Sequence, residues 1–262
     1  MNRLHPALFL GHGSPLHALE PNRYTAAWQQ LGRELPRPRA IIAVSAHWYL
    51  RGTAVTAQAT PRTIHDFQGF PAALYAVKYP APGDPQLAAR VARLLSPAAV
   101  RLDQDWGLDH GTWSVLRYLY PDAAIPVIQL SIDAALSAPQ HYALAQRLAP
   151  LREAGVLVLG SGNVVHNLRA LQFDAAVPAP GWAVSFDQAV RDAVLVGRHD
   201  DLAAYQTLDS GAALSVPTPE HYLPLLYVLA LQRRGETVRV PLDGIELGAI
   251  SMMSVLVGQA AS

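Results

Sequence analysis

One stretch near the start of the chain decides the predicted fold: Leu8-Phe9-Leu10-Gly11-His12-Gly13-Ser14-Pro15. A short apolar run that is bounded by Gly and Pro is typical of a buried strand. The two glycines allow the backbone to turn sharply and leave space around the imidazole of His12. A neutral imidazole presented at the end of a strand is a candidate metal ligand or catalytic base.

The composition limits the kind of protein that this chain can form. Its 262 residues suit one large α/β domain better than two small ones, so residues 1–262 are predicted to form a single catalytic domain. The formal net charge is zero, which gives no basic face for a nucleic-acid partner. The chain has no cysteine, so disulfides, zinc-thiolate sites and cysteine nucleophiles are excluded. Any metal must be bound by His, Asp or Glu.

Targeting signals are missing from the start of the sequence. The first six residues lack the apolar core of a signal peptide, and no apolar run reaches membrane-spanning length. We therefore expect a soluble cytoplasmic protein with no membrane partner. The sequence gives no indication of the oligomeric state.

Apolar strands alternate with helices along the chain. Strands are predicted at 8–11, 40–45, 52–58, 100–103, 126–131, 155–162, 237–240 and 249–257. Helices are predicted at 24–35, 85–95, 112–120, 138–153, 182–196, 200–205 and 218–232. This alternation predicts a three-layer α/β fold with a mostly parallel central sheet and helices on both faces.

Four histidines directly follow predicted strands. They are His12, His47, His110 and His166, and His221 at a predicted helix start can reach the same edge. Ligands of parallel α/β sheets bind beyond the carboxyl ends of the strands. One rim of the sheet can therefore collect all five imidazoles.

The other five histidines are interpreted differently. We assign no functional role to His5 in a polar terminus, to His141 on an exposed helix, or to His199 in a turn between helices. His17 and His65 lie in loops near the proposed rim, where they are candidate contacts for a substrate.

A long irregular segment follows at 60–85, and it is rich in aromatic residues. Loops of this length inside a domain are more often functional than idle, so we interpret it as a lid or a substrate wall. Five aromatic side chains would suit a flat substrate ring, namely Trp48, Phe67, Phe70, Tyr75 and Trp113.

Other chemistries find no support in the motifs. The sequence has no nucleophile elbow, no phosphate-binding loop and no H-E-x-x-H pair. What remains is a metal site built from dispersed histidines. Three imidazoles suit zinc, iron or copper. Iron(II) with open positions would serve oxygen chemistry, whereas zinc would activate water.

Six motifs, taken together and in order, resemble one family. They are Gly11-His12-Gly13-Ser14-Pro15, Ser45-Ala46-His47-Trp48, Ile64-His65-Asp66-Phe67, Asp109-His110-Gly111-Thr112-Trp113, Gly160-Ser161-Gly162-Asn163-Val164-Val165-His166-Asn167 and Pro219-Glu220-His221-Tyr222-Leu223-Pro224. The family is the class III extradiol ring-cleaving dioxygenases, in particular their single-chain 4,5-DOPA type. The resemblance covers nearly the whole chain.

The resemblance implies an enzyme with a non-haem iron(II) cofactor that opens a DOPA-like catechol ring with O2. By position, His12, His47 and His221 resemble the metal ligands of the family. His166 resembles the acid/base residue, close enough to bind the metal when substrate is absent. His110 resembles a second residue that contacts substrate or transfers a proton.

The sequence departs from the two-subunit relatives at one ligand. Those relatives complete the site with a glutamate, whereas this chain offers Glu220 and His221 side by side. We predict His221, as in the DOPA-type branch. A site made only of histidines would also hold zinc readily.

Two other functions compete with the dioxygenase. A zinc-dependent hydrolase could use the same histidines, and a binding module of related fold could keep the pocket without catalysis. Activity that requires iron(II) and O2 would exclude the first. The metal content and the behaviour of a His12→Ala protein would test the second.

Overall fold

The fold is described by a computed structural model, which covers residues 4–174 and 176–258. Its strands are β1 (Ala7–Gly11), β2 (Ala40–Leu50), β3 (Thr53–Thr56), β4 (Arg62–Thr63), β5 (Val100–Asp103), β6 (Gly107–Leu108), β7 (Val127–Asp133), β8 (Val156–Gly162), β9 (Val238–Leu242), β10 (Ile245–Glu246), β11 (Ile250–Ser251) and β12 (Ser254–Val257). Its helices are α1 (Arg23–Glu34), α2 (Ala72–Tyr75), α3 (Pro85–Leu94), α4 (His110–Leu119), α5 (Ala138–Gln146), α6 (Ala149–Glu153), α7 (Gly181–Val196), α8 (His199–Ala203), α9 (Ala212–Ser215) and α10 (Leu223–Leu229).

Eight of these strands form the central sheet, in the order β5-β3-β7-β2-β8-β1-β12-β9. The middle of the sheet is parallel, because β7, β2, β8 and β1 all pair in the same direction. Antiparallel pairs join β3 to β7 at one side and add β12 and β9 at the other. The prediction of a mostly parallel central sheet is confirmed.

Helices cover both faces of this sheet, as the three-layer prediction required. Successive side chains of a strand point to opposite faces. Leu8 and Leu10 of β1 therefore pack against α1 and α4, whereas Ala7 and Phe9 pack on the side of α3, α5, α7 and α10. Both faces of the central strands are buried, which explains why these strands are apolar at almost every position.

Three predicted elements end or divide earlier than the sequence pattern indicated. The predicted helix at 138–153 is two helices, because Pro150 lacks an N–H and cannot continue α5. The predicted helix at 218–232 is a 3-10 turn at Pro219–His221 followed by α10. The predicted strand at 249–257 divides into β11, which pairs with β10, and β12, which pairs with β1.

Two predicted positions of histidines at strand ends are wrong. His47 does not follow its strand but lies within β2, which extends to Leu50. The pairing of β2 with β7 shifts register between Val44 and Tyr49, and such a bulge redirects side chains locally. His110 is the first residue of α4 and is preceded by β6, which pairs with β4 outside the central sheet.

The environment of His141 also differs from the prediction. The sequence indicated an exposed helix, but His141 is fully buried because α5 packs against α10. None of the helices in the described part of the chain is long and apolar enough to span a membrane.

Candidate metal centre

Five histidine side chains meet at the rim where the parallel strands end. His12 follows β1, His47 lies in β2, His110 begins α4, His166 follows β8, and His221 lies in the turn before α10. All five line one cavity of about 420 Å³. The sequence indicated this group, and the structure brings its members together.

Three of these rings can share one metal ion. A nitrogen from each of His12, His47 and His221 lies within 4.8 Å of the other two. The Nε2 atoms of His12 and His47 are only 3.1 Å apart. The Nε2 atom of His221 is buried and has no hydrogen-bond partner in the described part of the chain.

The hydrogen bonds of His12 determine which of its nitrogens carries the proton. Its Nδ1 lies 3.0 Å from the Ser161 hydroxyl oxygen. That hydroxyl donates its own proton to the Gly111 carbonyl at 2.5 Å, so it can only accept from His12. His12 therefore holds its proton on Nδ1 and carries a lone pair on Nε2.

His47 and His221 have the same arrangement, with a carboxylate in place of the hydroxyl. The Nδ1 atom of His47 lies 3.3 Å from Asp66, and that of His221 lies 3.3 Å from Glu220. Glu220 can only accept the hydrogen bond from His221, so that ring holds its proton on Nδ1 and a lone pair on Nε2. The Asp66 charge beside Nδ1 of His47 favours the same tautomer, because a lone pair on that nitrogen would be repelled. Two lone pairs facing each other at 3.1 Å repel unless a cation lies between them. The donor set thus fits a divalent metal, whose histidine ligands usually donate their other N–H to a carboxylate or similar acceptor.

Burial keeps these rings neutral. The pKa values of His12, His47 and His221 all lie well below the usual histidine value, first because burial disfavours the charged form. The charges of the neighbouring histidines lower the pKa of each ring further. Neutral imidazole is the form that binds metals.

The other two rings stand next to this group. The centroid of His110 lies 3.9 Å from that of His47, and the His166 ring stacks on His221 with centroids 3.4 Å apart. Burial lowers the pKa of His166 to about 4, so its ring is neutral at neutral pH. Both rings line the cavity and are free to act on a bound molecule.

Two carboxyl groups support the site, one half-buried and one fully buried, and the sequence analysis singled out neither. Asp66 accepts a hydrogen bond from Nδ1 of His110 at 2.9 Å, and its Oδ2 atom lies 3.3 Å from Nδ1 of His47 in a charge contact. Burial alone would raise the pKa of Asp66, but the bond from His110 and the charges of both rings leave it lowered. Asp109 caps α4, and burial together with the charge of Asp66 raises its pKa to about 6. Both acids stand next to histidines in the motifs His65-Asp66 and Asp109-His110, which was the available signal.

The two predicted substrate contacts lie away from the metal group. His65 bonds the Val77 carbonyl through Nε2 at 2.9 Å and packs against Trp113, behind the cavity wall. His17 bonds Glu246 at 2.7 Å and lines an adjoining cavity of about 530 Å³. Contact of either residue with substrate stays a prediction.

The irregular segment contributes to the cavity through only some of its aromatic side chains. Phe67 and Phe70 line the cavity that contains the five histidines. Trp48 instead stacks on Trp106, and the Trp113 indole donates to the Ile64 carbonyl at 2.7 Å. The segment therefore forms part of a wall, with its tryptophan neighbours used for packing.

An α/β sheet that gathers three neutral imidazoles around one position, with two further histidines beside them, has the side chains of a metal-dependent enzyme. The chain belongs to the family described as the catalytic LigB subunit of aromatic ring-opening dioxygenase, whose model matches residues 6–249. This match places it in the class III extradiol dioxygenases, which are metal-dependent.

Similar proteins extend over nearly the whole chain. A protein of Escherichia coli (strain K12) named 4,5-DOPA dioxygenase extradiol is 52% identical over 256 residues, covering 97% of this chain and 94% of that protein. A protein of the same name from Portulaca grandiflora is 40% identical, covering 84% of this chain and 83% of that protein. The crystal structure of an uncharacterized protein from Escherichia coli K12 matches with a TM-score of 0.85 and 48% identity, covering 97% of this chain and all of that one. The chain is thus an aromatic ring-opening dioxygenase, and the hydrolase and binding-module alternatives are not favoured.

Proposed function

We propose that this chain opens the ring of a DOPA-like catechol with O2, using iron(II) bound by His12, His47 and His221. The proposal depends chiefly on one observation: the Nε2 atoms of His12 and His47 lie 3.1 Å apart, and the Nε2 atom of His221 is buried without a partner in the described part of the chain. The choice of His221 over Glu220 is supported because Glu220 already accepts hydrogen bonds from His221 and Thr218.

Iron is the metal that suits the family chemistry, because iron(II) supplies both a Lewis acid for the two catechol oxygens and a redox centre for O2. Zinc can occupy the same three neutral imidazoles, but it supplies no redox change. Zinc in a purified sample would therefore say little about the catalytic metal.

The two remaining histidines handle the protons of the catechol hydroxyl groups. His166 is neutral, since its pKa is lowered to about 4 by burial, and its nitrogens are not engaged by Asp66. It acts as the general base for one hydroxyl proton and returns that proton in a later step. His110 offers a second Nε2 acceptor, because its Nδ1 donates to Asp66 at 2.9 Å.

The cavity wall holds the ring and limits the access of water. Phe67 and Phe70 provide aromatic surface, and Leu168, Leu171 and Ile250 add aliphatic surface. An aromatic ring against these side chains packs well and displaces water.

The substituent of the catechol ring has room in the adjoining cavity. Ser14, Leu16, Phe173 and Leu247 line both cavities, so the two are contiguous. The described residues that line the adjoining cavity include Glu20, Asp174 and Glu246 but no lysine or arginine. Carboxylates favour a positively charged group, such as the ammonium of an amino-acid side chain. This supports an amino-bearing catechol as the substrate class, with His17 nearby.

The test uses metal-free protein loaded anaerobically with iron(II), then exposed to air and a panel of catechols. We expect a yellow ring-opened product from DOPA with the iron form and none with a zinc-loaded control. The panel includes a DOPA analogue without the carboxylate and another without the amine. We expect the analogue that keeps the amine to be cleaved faster than the analogue that keeps the carboxylate. A colourless outcome with every catechol would refute the proposed activity. A cytoplasmic location, a single domain and the lack of a nucleic-acid partner stay predictions from the sequence.

A further inference from the structure

One carboxylate in the site accepts two N–H groups of His110 and also lies against the ring of His47. The Oδ1 atom of Asp66 accepts from the backbone N–H of His110 at 2.8 Å. Its Oδ2 atom lies 2.9 Å from Nδ1 of His110 and 3.3 Å from Nδ1 of His47. The side chain is only 15% exposed, so water competes little for these bonds.

We propose that Asp66 is a positioning residue that fixes the tautomers of His47 and His110 together and supplies the negative charge that the three imidazole ligands lack. The inference rests on the proposed metal site but is independent of which catechol is cleaved. Asp66 lines the cavity beside His47 and His110, outside the set of the three proposed ligands.

The tautomer argument follows from the chemistry of the acceptor. A carboxylate has no proton to offer, so His110 carries its proton on the Nδ1 that bonds Asp66. The same negative charge lies 3.3 Å from Nδ1 of His47 and favours a proton on that nitrogen too, because a lone pair there would be repelled. Both Nε2 atoms then carry a lone pair. For His47 this lone pair is the one that faces Nε2 of His12 at 3.1 Å. Without the acceptor, either ring could move its proton to Nε2, and His47 would then be unable to bind a metal.

The charge argument concerns the cost of placing a divalent cation in a buried pocket. Three neutral imidazoles offset none of its positive charge. Asp66 provides a full negative charge one ring away from the metal position, and burial strengthens the attraction between them. The same carboxylate also holds His110. Asp66 therefore orients both a proposed metal ligand, His47, and a hydrogen-bond acceptor in the cavity, Nε2 of His110.

The first experiment measures metal affinity rather than catalysis. Asp66→Asn keeps the shape of the side chain but removes the charge and one acceptor, whereas Asp66→Glu keeps the charge. Asp122→Asn, at an exposed carboxylate paired with Arg37, is the matched control. We expect Asp66→Asn to weaken iron(II) and zinc(II) binding about 10- to 100-fold in competition with a chelator. Asp66→Glu should recover part of that affinity, and Asp122→Asn should bind like the wild type.

The reduction potential of the bound iron, measured on the same proteins, tests the charge contribution of Asp66 separately. Loss of the negative charge disfavours iron(III), so Asp66→Asn should shift the potential to more positive values than Asp122→Asn. Affinity for both metals within twofold of the wild type, with an unchanged potential, would overturn the proposal.

A measurement on the unmodified protein covers the case in which Asp66→Asn does not fold. Nitrogen-15 NMR of the histidine rings in the zinc-loaded protein should show the proton on Nδ1 of both His47 and His110. A proton on Nε2 of either ring would overturn the proposal without any variant. If the wild type binds metal and shows these tautomers but cleaves no catechol, the proposed function fails and the assignment of Asp66 stands.

Discussion

Two buried histidines, His141 and His221, differ in how their ring nitrogens are used. The exposed fractions are 0% for His141 and 6% for His221. His141 has a partner on each nitrogen, since Nε2 bonds the Asp133 carbonyl at 3.1 Å and Nδ1 bonds the Tyr227 hydroxyl at 2.9 Å. His221 has a partner on Nδ1, whereas its Nε2 has none among the described residues, and a nitrogen of this ring lies within 4.8 Å of nitrogens of His12 and His47. Both histidines are buried, and what distinguishes His221 is an unpaired nitrogen together with other imidazoles close to its ring.

The largest effect expected from this comparison is on metal content. His221→Ala should lose the bound metal, and activity should fall by more than about 1000-fold because several kcal/mol of transition-state stabilisation by the metal are lost. His141→Ala, purified in parallel, should keep the metal stoichiometry of the wild type. Elemental analysis and the rate of catechol cleavage measure both. If His221→Ala kept its full metal content, His221 would not be a required ligand and the contrast with His141 would be wrong.

The next effect concerns a ring beside the metal position rather than one of the three proposed ligands. His166→Gln should retain the metal while kcat falls by about 100- to 10,000-fold, the range for loss of a general acid or base. KM should change much less, because the apolar wall of the cavity is untouched. Steady-state kinetics on the iron form separate the two constants. A loss of metal from this variant would instead make His166 a required ligand.

The free energy of unfolding should respond more to the loss of His141 than to the loss of His221, the opposite of the order expected for metal content. His141→Ala should lower the free energy of unfolding by about 2–4 kcal/mol, since it opens a cavity and leaves the Tyr227 hydroxyl without its partner. The metal-free form of His221→Ala should lose less, because the deleted ring carried a nitrogen that was already unpaired. Urea unfolding of both metal-free variants provides the measurement. Equal losses would show that hydrogen-bond pairing is not what separates these sites.

The free energy of unfolding should depend on pH because of the buried His141 ring. Burial lowers the pKa of His141 from the usual 6.5 to about 4. The unfolded chain therefore binds a proton at this residue before the folded chain does, and stability falls as the pH drops from about 6.5 to about 4. The whole loss is about 3 kcal/mol for a shift of this size. His141→Gln should remove it, so urea midpoints at about pH 7 and about pH 4.5 should differ less in the variant than in the wild type.

The smallest effect is expected at His199. This residue tests whether an unpaired nitrogen is enough for a role in metal binding when no other imidazoles converge on it. Nδ1 of His199 forms a hydrogen bond with the Tyr142 hydroxyl at 2.8 Å, and its buried Nε2 lacks a partner within the residues that the structure describes. It lies outside the groups of side chains that converge on a metal position there. His199→Gln should leave the metal stoichiometry unchanged and alter the free energy of unfolding by less than about 0.5 kcal/mol. A loss of metal from this variant would show that convergence of several rings is not required.

The parts of the site that could be predicted are those that local sequence encodes. Gly11-His12-Gly13 and the apolar run before it mark a strand end, and the motif around His221 marks a helix start. The bulge that keeps His47 inside β2 left no local mark, because it arises from the pairing of β2 with β7. The burial of His141 likewise comes from the packing of α5 on α10.

The amino-acid sequence by itself determined the layered α/β fold, the family and the set of histidines at the rim, because apolar runs, glycines and ordered motifs act over a few residues. The tertiary structure alone decided which nitrogen of each ring carries a lone pair. That choice depends on acceptors far away in the chain, such as Ser161 for His12 and Asp66 for His110. Hydrogen bonds of this kind are set by the distance and direction between atoms in space, and residue spacing does not encode either one.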